Sequence, residues 1–464
     1  MNLATVILAA GLGKRMRSKL PKVLQPVAGQ PMVMYSINLA MQLSTQAPVL
    51  VIGLGAKLVR DRVGDCVRYV LQEQQLGTGH AVLQARDELR GRSEAVLVLY
   101  GDMPLLTPPT LVRLLDTFAT TQPAIALLTV EQAGADSMGF GRVIRDEQGR
   151  VTAIVEEAVA TPVELAIREL NCGIYCFRAD WLWDNLIHLQ VSGKGEYYLT
   201  DLVAMAAQQG ERVEAVAVED RDDVLGINDR LQLARATAIM RRRVNDELMR
   251  GGVTLVDPAT TYVDAGVRVA PDTVIFPNTY LLGETSVGDD CIIGPNTLLR
   301  NATVAPGCRI EASLVEDSVL GPGVVVGPYS HVRFGTRLDE GVRVGAHGEV
   351  ANAYLGPGTQ VHHASYVIEA TVGAGVSIGA GAVTCDGAGE RAQTMLIEDG
   401  ATIGAGAMLV APLQVGAQAV VGAGSVVTHD VPANTVVYGV PARVRRVRQP
   451  ELPAQRVGAP GEGE

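Results

Sequence analysis

Apolar positions fall into two textures along the chain, and the change comes near residue 252. Before it, continuous runs of Val, Ile, Leu and Ala alternate with stretches of helical spacing. The runs Thr5 to Ala9, Pro48 to Gly53, Ala95 to Tyr100 and Ala124 to Val130 are bounded by Gly or Pro, and segments such as Met32 to Leu43 and Thr110 to Ala119 lie between or after them. Such runs predict strands buried on both faces of a mostly parallel sheet, with helices covering it. Asp229 to Arg250 carries helical periodicity and stops at Gly251-Gly252, which predicts a connecting helix. Its Arg241-Arg242-Arg243 run reads as a solvated face.

Beyond residue 252 an aliphatic residue returns every six positions. Val326, Val332, Leu338, Val344 and Val350 form one such series, and Ile403, Leu409, Val415, Val421 and Val427 another. Val287, Ile293 and Leu299 form an earlier one, and five-residue steps such as Val350 to Leu355 interrupt the register. A small residue usually follows the aliphatic, as in Val344-Gly345, Ile378-Gly379, Ile403-Gly404 and Val421-Gly422. This period predicts a parallel β-helix in which each six residues supply one short strand and a turn, three sides close a coil, and the aliphatics stack inward. The chain therefore divides into an α/β domain over 1–228, a helix over 229–251, a β-helix over 252–448 and a flexible tail over 449–464.

Composition agrees with that division and removes several functions. Aromatics are only 4% of the 464 residues while 47% are hydrophobic, so both cores must be built from aliphatics. A formal net charge of −11 argues against nucleic acid as a partner, since phosphate backbones demand a positive footprint. No apolar run approaches the roughly 20 residues of a membrane span. The opening residues carry no signal-peptide pattern, and the six cysteines include no CxxC pair, which predicts reduced thiols in the cytosol. Cys172 and Cys176 lack a second ligand pair nearby, so no zinc site is expected.

Against the acidic balance, Lys14, Arg15, Arg17, Lys19 and Lys22 crowd into "TVILAAGLGKRMRSKLPKVL" just after the first strand. The turn Ala10-Gly11-Leu12-Gly13 stands at that strand's carboxyl end, where open α/β sheets bind ligands, and Arg15 and Lys22 would bring charge to a phosphate there. The spacing fits neither the dinucleotide fingerprint nor the P-loop. Asp102, in "YGDMPL", reads equally as a metal ligand or as a turn residue before Pro104.

The pattern LAAGxGxRM followed by PKxL resembles the signature of sugar-1-phosphate nucleotidylyltransferases. "QLGTGHA", "YGDMPL", "GFGRV", "IVE", "NCGIY", "GEYYLTD" and "GINDRLQLA" follow in order. With the helix and hexapeptide repeats behind them, nearly the whole chain resembles the bifunctional GlmU family, which joins N-acetylglucosamine-1-phosphate uridyltransferase to glucosamine-1-phosphate acetyltransferase. The resemblance implies a nucleotidyltransferase α/β domain of Rossmann type with a mixed, mostly parallel sheet, followed by a left-handed β-helix. It also implies Mg²⁺ as cofactor, UTP, N-acetylglucosamine-1-phosphate, glucosamine-1-phosphate and acetyl-CoA as substrates, a homotrimer, and a role in supplying UDP-N-acetylglucosamine for the cell wall.

Residue by residue, it assigns Arg15 and Lys22 to catalysis, Leu8, Ala9, Ala10, Gly11 and Gly13 to the nucleotide, and Gln72, Gly77 and Thr78 to the uracil. Asp102 and Asn228 would hold Mg²⁺, and Gly141, Glu156, Asn171 and Asn228 the sugar and its acetamide. In the β-helix His363 would be the general base, Arg333 and Tyr366 sugar contacts, and Ala380, Ala405, Ala423 and Arg443 part of the site for acceptor and coenzyme A. Four departures stand out. Glu157-Ala158 replaces a Lys-containing pair after Glu156, Ala351 and Ser377 stand where the family has lysine and asparagine, and an Asn-Tyr pair is missing after Cys385. These predict a weak glucosamine-1-phosphate site, another amino-sugar acceptor, or a β-helix that only assembles or regulates.

Overall fold

A computed structural model describes residues 1–132, 137, 139–385 and 395–447. The chain forms two compact units, Met1–Met240 and a second beginning at Arg241.

Among the described residues the first unit is built on a nine-stranded sheet. In chain order its strands are β1 (Leu3–Leu8), β2 (Val49–Ile52), β3 (Arg68–Leu71), β4 (Ala95–Tyr100), β5 (Ile125–Glu131), β6 (Arg142–Arg145), β7 (Val151–Val155), β8 (Glu169–Arg178) and β9 (Val213–Ala217). They lie in the order β9-β5-β8-β4-β1-β2-β3, with β6 and β7 an antiparallel pair branching from β8. Strands β1 to β4 pair in parallel, as do β5 and β9, but β8 is antiparallel to both β4 and β5. Every residue of β1 and β2 is buried, because helices cover both faces. One face packs Ile37, Leu111 and Leu114 from the helices Met32–Leu43 and Pro108–Thr121, and the other packs Trp183, Leu182 and Leu202.

The helix expected over Asp229 to Arg250 spans Arg230–Arg250. Its Ala236 and Ile239 pack with Val27, Leu105 and Ile227 of the first unit. In the second unit Arg241 lies 4.4 Å over the Tyr262 ring, which stacks on Tyr280, so one arginine of the run has an aromatic platform.

The second unit is the β-helix. Among the described residues three sheets of twelve, ten and nine strands form its sides, and neighbouring coils pair in parallel until a closing antiparallel hairpin, Thr435–Gly439 with Ala442–Val447. Register carries Val325 to Arg343 in the next coil, the length of three six-residue sides. The predicted inward positions are all buried, from Val287 through Val427. Glycine follows the aliphatic for a steric reason. A Cβ on Gly379 would lie 2.5 Å from the Ala405 nitrogen, and one on Gly404 would lie 2.4 Å from the Ala423 nitrogen, so stacked coils leave no room for a side chain there. No helix among the described residues is long and apolar enough to cross a membrane.

Candidate active site

The carboxyl ends of β1, β3 and β4 open onto a cleft of about 450 Å³. Its walls bring together Leu8, Ala9, Ala10 and Gly11 after β1, Gln72, Gly77 and Thr78 after β3, and Asp102 after β4. Gly141, Glu156, Asn171 and Asn228 complete it. Backbone bonds set the loops: the Ala9 amide donates to the Val51 carbonyl, the Gly101 amide to Leu8 and the Gln72 amide to Ile52. Two expected residues stand outside the lining. Arg15 is an exposed residue of the short turn Lys14–Met16, which buried Met16 anchors, and Gly13 caps the start of that turn. A Cβ on Gly13 would come within 2.6 Å of Lys22 Cβ, so that glycine lets the lysine pass close.

Of the five clustered cations, Lys22 reaches into the cleft. Its ammonium donates to Asp102 Oδ2 and, at 3.1 Å, to Asn228 Oδ1. A carboxylate and an amide oxygen thus converge on one positive charge, with the lysine and aspartate side chains 10% and 19% exposed. Two hard oxygens meeting at a cation are a donor set that suits Mg²⁺, which completes its shell with phosphates and water.

Glu156, Asn171 and Tyr100 give the cleft further polar lining. Burial raises the Glu156 carboxyl above the usual range, the Thr200 hydroxyl opposes this with a 3.0 Å bond to Oε1, and Asp201 and Glu196 add to the rise. Burial likewise raises the Tyr100 phenol, with Glu156 and Asp102 adding to it. Asn171 donates to the Tyr175 hydroxyl at 2.7 Å and accepts the Gly173 amide at 3.1 Å, which fixes its amide. Gly77 has φ 99°, and a Cβ there would meet the Tyr197 carbonyl at 2.6 Å, so "QLGTGHA" packs directly on "GEYYLTD". The Thr78 hydroxyl holds that pairing by accepting the Leu199 amide at 3.0 Å.

Sequence reasoning missed Arg142. Its side chain is 4% exposed, donates to the Phe140 carbonyl at 2.6 Å and pairs with Glu157 at 2.9 Å. Hydrogen bonds from Ser137 and then Arg142 hold the Glu157 carboxyl below its ordinary range. The residues flank Gly141 and Glu156, and only the β6–β7 register, Arg142 opposite Val155, brings them together. Cys172 and Cys176 are core residues whose thiols burial pushes up, and no cluster of three metal-ligating side chains occurs among the described residues.

In the β-helix, His363 is an exposed turn residue. Its carbonyl accepts the Gly381 amide, Ala380 accepts that of Gly406, and Ala405 that of Gly424. His363, Ala380 and Ala405 therefore form one column up successive coils, and Ala423, just before Gly424, continues it. The strands His331–Arg333, Glu349–Ala351 and Tyr366–Ile368 are consecutive in one sheet. Arg333 is bound through its Nε and terminal nitrogen to Glu349 and lies 4.2 Å over the Phe334 ring. Arg443 lines a separate cavity of about 260 Å³ with His429 and Asp430.

Residues 5–165 match the MobA-like NTP transferase domain. The "Bifunctional protein GlmU" of Pelobacter propionicus is 44% identical over 96% of this chain and 97% of its own length. The proteins of the same name from Brevibacillus brevis and Heliobacterium modesticaldum are 42% and 44% identical, covering 96% and 93% of this chain and 95% and 94% of their own. The chain belongs to the bifunctional GlmU family.

Within that family its departures gain a physical setting. Glu157, where a lysine-containing pair was expected, is the partner of buried Arg142. Ala351 is buried and pairs in register between Arg333 and Ile368. Ser377 is placed with its hydroxyl 3.4 Å from His362 Nε2. The missing Asn-Tyr pair falls at 386–387, outside the described residues, as does the tail from 449.

Proposed function

We propose that the first unit transfers a uridylyl group from UTP to N-acetylglucosamine-1-phosphate. An oxygen of the sugar phosphate attacks the α-phosphorus, the bond to the β-phosphate oxygen breaks, and pyrophosphate leaves. No enzyme nucleophile is required, so the residues bind, align and neutralise. Lys22 places positive charge beside the reacting phosphate, where charge develops in the transition state. Arg15, two residues beyond Gly13, is assigned to the outer phosphates. Mg²⁺ held by Asp102 and Asn228 would supply further neutralisation of the triphosphate. Glu156, Asn171 and Gly141 bind the sugar and its acetamide, since discrimination between sugars rests on hydrogen bonds that a wrong substrate leaves unmade.

The second unit transfers an acetyl group from acetyl-CoA to the amine of glucosamine-1-phosphate, producing the acceptor that the first unit uses. His363 takes the amine proton as nitrogen attacks the thioester carbonyl and the thiolate departs. Arg333 and Tyr366 contact the sugar, while the alanine column and Arg443 receive the carrier. Six free cysteines suit work in the cytosol.

The convergence of Lys22, Asp102 and Asn228 carries this reading for the first unit. Asp102→Asn removes a metal charge with almost no change of volume, and pyrophosphate release from UTP should be abolished while the fold persists. Unchanged turnover would overturn the assignment.

A further inference from the structure

The uracil end of the cleft contains a hydrogen-bond relay whose polarity follows from its geometry. Gln72 is 3% exposed and lines the cleft. Its Nε2 lies 3.1 Å from the Gly77 carbonyl oxygen. A carbonyl can only accept, so the amide nitrogen must face it. The same nitrogen lies 3.0 Å from His80 Nδ1, which must then be the unprotonated ring nitrogen. Gln84 brings a competing amide, its Nε2 3.1 Å from His80 Nε2 and 3.0 Å from the His80 carbonyl. A neutral imidazole has one acceptor nitrogen, so it can serve only one of the two. Buried Gln72 needs both the Gly77 carbonyl and the ring for its two amide hydrogens, whereas half-buried Gln84, which caps the helix Thr78–Leu83, keeps the His80 carbonyl as acceptor and can give its other hydrogen to solvent. The His80 ring is itself placed by the Tyr197 ring, 6.4 Å away between centroids.

We propose that His80 is a positioning residue for nucleobase selection: its Nδ1 and the Gly77 carbonyl take both amide hydrogens of Gln72 and leave Oε1 alone to face the base. This rests on the reading that the first unit takes UTP. Uracil presents a donor at N3, which Oε1 accepts. Cytosine presents an acceptor at N3, which Oε1 repels, and a pinned amide cannot turn its NH₂ outward in compensation. The choice between two bases that differ in donor and acceptor pattern is thus made by a residue outside the cleft lining.

The test compares kcat/KM for UTP and CTP, with N-acetylglucosamine-1-phosphate as acceptor, in the wild type, His80→Phe and His80→Asn. Phenylalanine keeps a ring for Tyr197 but offers no acceptor, so the preference for UTP should fall about tenfold or more, the range of one hydrogen bond. Asparagine can set Oδ1 where Nδ1 stands and should restore most of the preference. His80→Leu gives the same expectation as His80→Phe should the larger ring prevent folding. A full UTP preference in His80→Phe, or in His80→Leu where that variant replaces it, overturns the proposal. So does an equal loss in His80→Asn. A wild type with no preference for UTP over CTP overturns the uridylyl reading and this inference with it.

Discussion

At the scale of single residues, the first cleft sets two charged groups against each other's convenience. Lys22 neutralises Asp102 in the protein as described, so it competes with any cation for the same two oxygens. Lys22→Ala should therefore bind Mg²⁺ more tightly by calorimetry and yet lower turnover about 10²- to 10³-fold, because charge on the transferred phosphate loses its partner. Weaker Mg²⁺ binding would show that the lysine helps to build the metal site. Glu156 has the opposite problem, a carboxyl raised chiefly by burial. The folded chain holds that proton to higher pH than the unfolded chain, so above the unfolded carboxylate range the folded state gives up stability as pH rises. Glu156→Gln should raise the melting temperature at pH 7 and change it less at pH 4, while KM for the sugar phosphate rises. Equal shifts at both pH values would remove ionisation from the explanation.

At the scale of elements, the β-helix was readable because each coil repeats the same steric demands. Leu338 and its six-residue relatives are buried as their period required, and Gly379 and Gly404 are small because the next coil's backbone touches them. Leu338→Ala, in the middle of the stack, should cost about 2–5 kcal/mol in chemical denaturation of the second unit, and a loss below 1 kcal/mol would mean that the coils close over the gap. The α/β sheet was readable only in part. Ala95–Tyr100 and Met32–Leu43 coincide with their predicted bounds, but β8 is buried along most of its length, and a continuous apolar run carries no mark of strand direction. Its antiparallel place between β4 and β5 was therefore hidden. The site followed the same rule. Residues inside short motifs, such as Asp102 and Asn171, were legible, whereas Arg142 with Glu157 and His80 with Gln72 depend on register and helix phase that the motifs do not state.

At the scale of the whole molecule, each unit has its own buried apolar residues: those of one cluster run from Val253 to Val437, with Val244 and Leu248 packed against it, and those of the others lie between Leu3 and Ile239. The second unit also exposes apolar side chains along a single sheet: Tyr280, Leu314, Tyr366, Ile368 and Met408 are 36–49% exposed on its ten strands. Exposed apolar side chains repeated along one sheet favour association, and a prism with three sides packs readily about a threefold axis. Light scattering on the full chain should give the mass of three copies. Leu314→Asp combined with Met408→Asp would set unpaired charge into that face and should yield monomers. Tyr366, assigned to the acceptor sugar, lies on the same sheet, so these monomers should lose acetyl transfer, followed by thiol release from acetyl-CoA. Uridylyl transfer should persist, because its cleft is lined wholly by residues of the first unit. A trimer that survives both charges would place the association elsewhere, and a wild-type monomer would sink the idea outright.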